Sequence, residues 1–153
     1  MNNQIKQLLT ASRYATVSTV DADGNPWAAP VWYVADDELN IYWWSAIGAQ
    51  HSQNIAHNSL AYITIFDSNL PEGDGIGLYI QATAAPIPDD ELEGAINLYN
   101  ASTQKFKMSR ENCAPLAPSR LYKASPRAVW INDGLERDGY YRDIRKDART
   151  LQD

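Results

Sequence analysis

The sequence predicts one mainly β domain, a six-stranded antiparallel barrel with short flanking helices. The chain has 153 residues, enough for one well-buried core and too few for two. Several segments alternate apolar and polar residues with a period of two, which is typical of half-buried strands. Short polar turns separate these segments, and short connections favour antiparallel neighbours over a parallel α/β sheet.

The first half of the chain is predicted to form a helix followed by three strands. Residues 2–11 carry apolar side chains at positions i, i+3 and i+4, the stripe of a short amphipathic helix. The next segments are rich in β-forming residues, and the polar turns D-A-D-G-N and D-D-E separate them. The predicted strands cover residues 14–20, 27–35 and 39–44.

The second half is predicted to continue the sheet around two helices. Acidic residues are concentrated directly after Pro88. Negative side chains stabilise the N-terminus of a helix, which carries partial positive charge, so this segment is predicted to begin a helix. Pro126 has no N–H group, so it restricts its strand to an edge or a bend. The predicted elements are a helix at 48–58, strands at 60–66 and 76–87, a helix at 89–102 and one or two strands at 121–131.

The domain is predicted to end near residue 135. Asn132, Asp133 and Gly134 have the composition of a turn. The single domain therefore covers residues 1–135, and residues 136–153 form a charged C-terminal tail that we expect to be partly disordered.

Charge is distributed unevenly along the chain. The formal net charge of −6 argues against binding the phosphate backbone of nucleic acid as the main activity. Between Tyr14 and Gln104 there are twelve acids and no Lys or Arg, whereas residues 105–153 hold eleven Lys or Arg and seven acids. An anionic ligand of the first two thirds must therefore find its countercharge elsewhere.

Motifs for nucleotide and metal binding are mis-spaced. Residues 73–77 read G-D-G-I-G, but a dinucleotide fingerprint needs its third glycine one place later and a helix after it, whereas a strand is predicted here. On a helix, His51 and His57 would point about 120° apart, and no third ligand is sensibly spaced near them. We predict no metal site.

The sequence also offers no evident hydrolytic nucleophile or secretion signal. Ser45, Ser52 and Cys113 have no obvious base and orienting group, and the lone Cys113 cannot form an intrachain disulfide. No apolar signal-peptide core follows Met1, and no run approaches about 18 apolar residues. The protein is expected to be soluble and cytoplasmic, with no membrane or nucleic-acid partner.

Five segments together carry a resemblance to a known family. They read A-T-V-S-T-V-D-A-D-G-N-P-W-A-A-P-V-W-Y-V from Ala15, L-N-I-Y-W-W-S from Leu39, G-A-Q-H-S-Q-N-I-A-H-N-S from Gly48, Y-I-Q-A-T-A from Tyr79 and L-Y-K-A-S-P-R-A-V-W-I-N from Leu121. In this order they resemble the pyridoxamine 5'-phosphate oxidase-like family of FMN-binding split barrels over roughly residues 5 to 132. The resemblance implies a split barrel, a homodimer with two flavins at its interface, and FMN as the cofactor.

The resemblance also implies which residues contact FMN. The strand from residue 29 to 34 is expected along the isoalloxazine, with backbone groups reaching its polar edge. Trp44 and Ser45 are expected beside the ribityl-phosphate tail, and the turn of residues 49–51 at the phosphate. The implied cofactor-binding residues are Ala29, Pro30, Val31, Trp32, Tyr33, Trp44, Ser45, Ala49, Gln50 and His51. No catalytic residue is assigned.

The phosphate turn departs from the family pattern. The family commonly has S-R-K where this chain has Ala49, Gln50 and His51. The N–H donors of a helix N-terminus, with a histidine and neutral donors, can still bind an anion. Countercharge is expected from Arg120, Lys123 or Arg127, or from an arginine of a second subunit.

Two classes of function follow. The first is an FMN-dependent oxidoreductase acting on an unidentified small substrate. Pyridoxamine phosphate oxidation itself is not predicted, because Y-Y-R-D-I-R-K-D-A-R near the C-terminus does not match the family's substrate motif. The alternative is a split-barrel binding module that has lost FMN or binds another flat cofactor, haem or a deazaflavin.

Overall fold

The computed structural model describes residues 1–72, 75–102, 105–132, 135–137, 140–142 and 144–151. The α-helices are α1 (Asn3–Ala11), α2 (Gln50–His57) and α3 (Leu92–Ser102). The strands are β1 (Tyr14–Val20), β2 (Pro26–Trp32), β3 (Val34–Ala35), β4 (Ile41–Ala46), β5 (Leu60–Phe66), β6 (Gly77–Pro86), β7 (Ser119–Asn132), β8 (Leu135–Arg137), β9 (Tyr140–Arg142) and β10 (Arg145–Asp147). Two short 3-10 helices cover Arg110–Cys113 and Ala148–Thr150.

One antiparallel sheet forms a split barrel. Its strand order is β2-β1-β5-β6-β7-β4-β3, and β10 pairs with β7 beside this path. The edge strands β2 and β3 are separated in sequence by Tyr33 alone, so one continuous segment pairs first with β1 and then with β4. This segment joins the two edges of the sheet and curls it. The mainly β fold class is confirmed, and this change of partner at Tyr33 divides the predicted strand 27–35 into two.

The interior of the barrel is filled by the inward side chains of the strands. In β5, Ala61, Ile63 and Ile65 are buried, while the outward neighbours are half-buried or exposed. Each fully buried Ile contributes about 1.5–3 kcal/mol through the hydrophobic effect. Helix α1 closes the end of the barrel where β5 finishes, and α2 closes the end where β5 begins; both contribute to this core.

A second apolar cluster lies outside the barrel. Helix α3 and the segment that follows it pack on the outward side of β4 and β7. In β4 the side chain of Trp43 enters the barrel core, whereas those of Tyr42 and Trp44 belong to the outer cluster. The side chains of a strand alternate between its two faces, so the two clusters share one strand.

The outward face of β1, β5 and β6 has no charged side chain of its own. We call it the open face. Its residues are Tyr14, Thr16, Ser18, Val20, Leu60, Tyr62, Thr64, Phe66, Tyr79, Gln81, Thr83 and Ala85. Tyr14 is 60% exposed and Phe66 57%. Arg145 of β10 lies against this face, where it donates to the Tyr62 hydroxyl and sits 4.0 Å from the Tyr79 ring centroid.

Pro126 lies at a bend, as predicted. Gln81 pairs with Ala128 and Ala82 with Pro126, so Arg127 is the extra residue of a β-bulge. The pairing of β4 with β7 ends before Pro126, so its missing N–H group costs no bond to β4.

Part of the predicted C-terminal tail joins the sheet. Arg145–Asp147 pairs with Trp130 to Asn132 of β7, and Ala148 is buried in the barrel core. These residues form a strand because β7 extends beyond β4 and offers its backbone for pairing there, while partial disorder of the tail stays a prediction. The division at residue 135 stays a prediction, and Asp133 and Gly134 of the predicted turn lie outside the described residues.

The glycine-rich segment is followed by a strand. Gly73 and Asp74 lie outside the described residues, but Gly77 begins β6, as the sequence predicted. None of the described helices has the length and apolar character needed to cross a membrane.

Candidate functional site

The N-terminus of α2 presents unfilled backbone donors. Strand β4 reaches α2 through a short turn, in which Ile47 N donates to Pro118 O at 2.9 Å and Ala49 N to Ala46 O at 3.1 Å. Ala49 caps the helix without a side-chain hydrogen bond, and no acid lies in the first turn. The N–H groups of Gln50, His51 and Ser52 have no acceptor within the helix, so this end suits an anion.

Ser45 and His51 form a hydrogen-bonded pair across this turn. The Ser45 Oγ lies 2.7 Å from the His51 Nε2. His51 is only 8% exposed. Burial holds the pKa of the imidazole below its ordinary value of 6.5, so the ring is neutral at pH 7 and donates from one nitrogen only.

This pair corrects one point of the sequence analysis. Ser45 does have a base beside it, six residues along the chain, because the strand-to-helix turn folds His51 back onto the end of β4. Within the described part of the chain, no carboxylate hydrogen-bonds to His51, so the pair lacks the orienting group of a hydrolytic triad. His57 is exposed at the far end of α2 and does not join His51.

A chain of polar side chains ties α2 to the barrel. Gln50 Nε2 donates to Asn54 Oδ1 at 2.8 Å, and Asn54 Nδ2 donates to Thr19 Oγ1 at 3.0 Å. Asn54 and Thr19 are each 2% exposed. A buried polar network whose hydrogen bonds are all formed makes the structure around it rigid. These bonds therefore fix the position of α2 and of the N–H donors in its first turn. Thr19 was not among the predicted site residues. The alternation of side chains along β1 does predict that Thr19 points inward.

The predicted ring-binding segment lies at the edge of the sheet. The side chains of Val31 and Tyr33 point into the barrel core, each 6% exposed. The Tyr33 hydroxyl donates to Leu9 O at 3.3 Å, and burial raises the pKa of that phenol. Ala29 and Pro30 are more accessible, and β2 pairs with β1 on one side only. A ligand here can meet the backbone of β2 and the side chains of Ala29 and Pro30.

The two predicted site tryptophans lie in the outer cluster. Trp32 meets Tyr99 edge to face, with ring centroids 4.9 Å apart, and Trp44 stacks on Phe106 at 5.0 Å. The Trp44 indole N–H is buried and has no partner among the described residues. The structure therefore brings together Ser45, Ala49, Gln50 and His51, but it places the Trp44 side chain on the opposite face of β4. No pattern in the sequence indicated Phe106, which lies in a segment rich in charge and proline.

The chemistry of this donor set fits a phosphate group. It comprises three first-turn N–H groups and the one donor proton that the bonded Ser45–His51 pair leaves free. Ser52 Oγ is buried in the same helical turn without a partner among the described residues, so it has hydrogen-bonding capacity left for a ligand.

The candidate cations of the late strand occupy three different settings. Arg120 pairs with Ser45 in the β4–β7 register, and its guanidinium donates to the carbonyls of the loop before β7. Lys123 Nζ lies 2.8 Å from Glu91 Oε2. Arg127 is exposed at the bulge.

Two cavities lie away from these residues. The larger, about 270 Å³, is lined by the ends of β5 and β6, including Phe66, Leu70 and Tyr79. The second, about 210 Å³, lies between β6, Glu91 and Lys123. Neither is lined by a predicted cofactor-binding residue.

Comparison with known proteins defines the class of protein. The chain shares the split-barrel fold with solved structures of 15–21% identity. The family model for pyridoxamine 5'-phosphate oxidase matches residues 1–147. The chain belongs to this family. The search of curated proteins found no match.

Three solved structures illustrate the range of similar proteins. A protein of unknown function from Agrobacterium tumefaciens has 21% identity and a TM-score of 0.65; the alignment covers 96% of this chain and 63% of that one, so this chain spans less than two thirds of its length. The haem storage protein HutZ from Vibrio cholerae has 19% identity, a TM-score of 0.67 and coverage of 84% and 92%. An FAD-binding protein from Mesorhizobium loti has 15% identity, a TM-score of 0.62 and coverage of 86% and 94%. At these identities the similarity shows the fold alone.

Proposed function

We propose that the protein is an FMN-binding oxidoreductase that acts on a small substrate. The observation that carries this proposal is the N-terminus of α2, where unfilled N–H groups lie beside the Ser45–His51 pair. The family's characteristic cofactor has a phosphate tail, and this is the position at which the family resemblance expects that tail. Pyridoxamine phosphate oxidation is not part of the proposal.

The residues of the chain would bind and orient the cofactor. The first-turn N–H groups of α2, with Ser45 and His51, would hold the phosphate, and the Gln50–Asn54–Thr19 bonds keep those donors in place. The unpaired edge of β2 from Ala29 to Trp32, together with Tyr33, would supply backbone groups to the polar edge of the ring. FMN, when bound, supplies the transfer of electrons between a reductant and the substrate.

We also propose a homodimer formed through the open face. A two-fold interface brings the same patch of both copies together, so a charged patch would meet its own charge. The side chains that β1, β5 and β6 themselves present on this face are uncharged, and Arg145 of β10 lies over Tyr79 at one side of it. Tyr14, Leu60 and Phe66 are each at least 48% exposed.

A second candidate is a binding module for another flat cofactor, haem or a deazaflavin. The observation that favours it is the absence of a cation at Ala49 and Gln50, which removes the strongest interaction with a phosphate. A cytoplasmic location stays a prediction from the sequence.

The absorbance spectrum of the purified protein tests the first proposal against the second. We expect a yellow protein, or an apo-protein that quenches the fluorescence of added FMN with a dissociation constant of about 1 μM or lower, equivalent to about −8 kcal/mol. A Soret band would favour haem. A colourless protein that does not bind FMN would contradict the flavin proposal.

A further inference from the structure

We infer that Arg120 supplies the positive charge that the phosphate site otherwise lacks, and that it is the residue that makes the protein prefer FMN to riboflavin. The inference rests on the proposed flavin function. It goes beyond that function because it names the side chain that binds the phosphate. From the sequence alone, three cations were candidates for this role.

Arg120 lies on the same face of the sheet as Ser45. The two residues are direct partners in the β4–β7 register, next to the stacked pair of Trp43 and Tyr122 in the barrel core. Directly paired residues of antiparallel strands have Cβ atoms about 5 Å apart on one face. The Arg120 side chain therefore starts beside the hydroxyl that bonds His51.

The guanidinium of Arg120 is held by backbone carbonyls around the start of β7. Its Nη1 donates to the carbonyls of Ala117 and Ser119, both at 2.8 Å, and its Nη2 to that of Pro115 at 2.7 Å. The same loop accepts the N–H of Ile47 through Pro118. A guanidinium has five N–H donors and stays charged at any pH the protein meets, so three neutral acceptors leave it a positive charge and further donors.

The other two candidate cations do not share this setting. Lys123 lies three positions after Arg120 and therefore on the opposite face of β7, where it pairs with Tyr42. It forms an ion pair with Glu91. Arg127 is exposed at the bulge, past the end of the β4 pairing. Residues 14–104 contribute no Lys or Arg, and the burial of His51 lowers its pKa, which favours the neutral ring. Among the described residues, Arg120 is thus the cation that the sheet places beside Ser45.

Fluorescence titration with two flavins tests the inference, because FMN and riboflavin differ only in the phosphate. The purified parent, Arg120→Gln, Arg120→Lys and Arg127→Gln variants are each titrated with FMN and with riboflavin. We expect Arg120→Gln to bind FMN at least about tenfold more weakly, since a charge-assisted interaction is lost, and to bind riboflavin within about threefold of the parent. Arg120→Lys keeps most of the preference, and Arg127→Gln leaves both affinities unchanged.

Salt dependence gives a second measurement that a structural role would not change. The FMN affinity of the parent should fall as salt rises, and this dependence should weaken in Arg120→Gln. Equal losses for both flavins would leave the ratio of FMN to riboflavin affinity unchanged. This result would mean that Arg120 only supports the loop, and it would overturn the inference. A parent that binds neither flavin overturns the proposed function itself, whereas a parent that binds both equally overturns only the role of Arg120.

Discussion

The six residues of β4 direct their side chains alternately to two faces, and the two faces differ in chemistry. On the inner face, Trp43 fills the core and Ser45 bonds His51 at the end of the barrel. On the outer face, Tyr42 and Trp44 pack beneath α3 and the segment after it. The neighbours Trp44 and Ser45 were expected beside the same phosphate tail, but their side chains reach different surfaces. Proximity in sequence within a strand therefore does not predict a shared site.

The largest expected difference between the faces is in stability. Trp43→Ala should lower the free energy of unfolding by about 3–5 kcal/mol, since a fully buried indole leaves a cavity. Trp44→Ala should cost only about 1–2 kcal/mol, because that side chain is half-buried. Urea denaturation followed by far-UV circular dichroism measures both, and equal losses would show that the faces are packed alike.

The open face provides the next contrast. Helix α3 covers the outward side of β4, whereas none of the described helices packs on the open face. Leu60→Glu replaces an exposed apolar side chain of this face, opposite Thr83, by a charge in both copies of the proposed dimer. Facing like charges cost several kcal/mol, so we expect light scattering after size-exclusion chromatography to shift from dimer to monomer. The matched control is Leu116→Glu, at a position 99% exposed. A dimer that withstands Leu60→Glu would place its interface elsewhere.

The inner face at the start of α2 is tested by ligand binding. His51→Ala removes the ring that meets Ser45, and we expect FMN to bind about tenfold more weakly, a loss of about 1.4 kcal/mol. His57→Ala, on the exposed end of the same helix, is the control and should bind as the parent does. If both variants bind FMN equally well, His51 does not belong to the site.

The smallest expected effect is the dependence of stability on pH. The folded pKa of His51 lies below its ordinary value of 6.5, so the unfolded chain binds more protons in this range and stability falls as the pH drops below about 6.5. One such group changes the free energy of unfolding by at most about 1.4 kcal/mol per pH unit. Between pH 7 and pH 5, His51→Gln should therefore show a shallower decline than the parent in urea denaturation. Parallel declines would mean that His51 titrates alike in both states.

Local patterns were sufficient to predict most of the elements. Tyr14–Val20 and Leu60–Phe66 were predicted with the bounds that the structure shows, because alternation in the first segment and strong β propensity in the second are clear local signals. The predicted helix at 48–58 lies at Gln50–His57. The division at Tyr33 was missed, since a change of hydrogen-bonding partner leaves no trace in side-chain type.

The candidate site was only partly predictable. The resemblance indicated Ser45 and His51 separately, but their contact depends on how the turn before α2 folds. Three late cations were equivalent in sequence, and the β4–β7 register distinguishes Arg120 from Lys123 and Arg127. Phe106 against Trp44 had no signal, because nothing in its own segment predicts a packing partner 62 positions away.

The sequence by itself determined the mainly β class, the order of the elements and the absence of Lys and Arg between Tyr14 and Gln104, since alternation, turn chemistry and composition are local properties. Only the tertiary structure decided that Ser45 meets His51, that Arg120 lies opposite Ser45 and that Trp44 packs under Phe106. These contacts depend on strand register and on helix docking, which arise when distant segments bury apolar surface together.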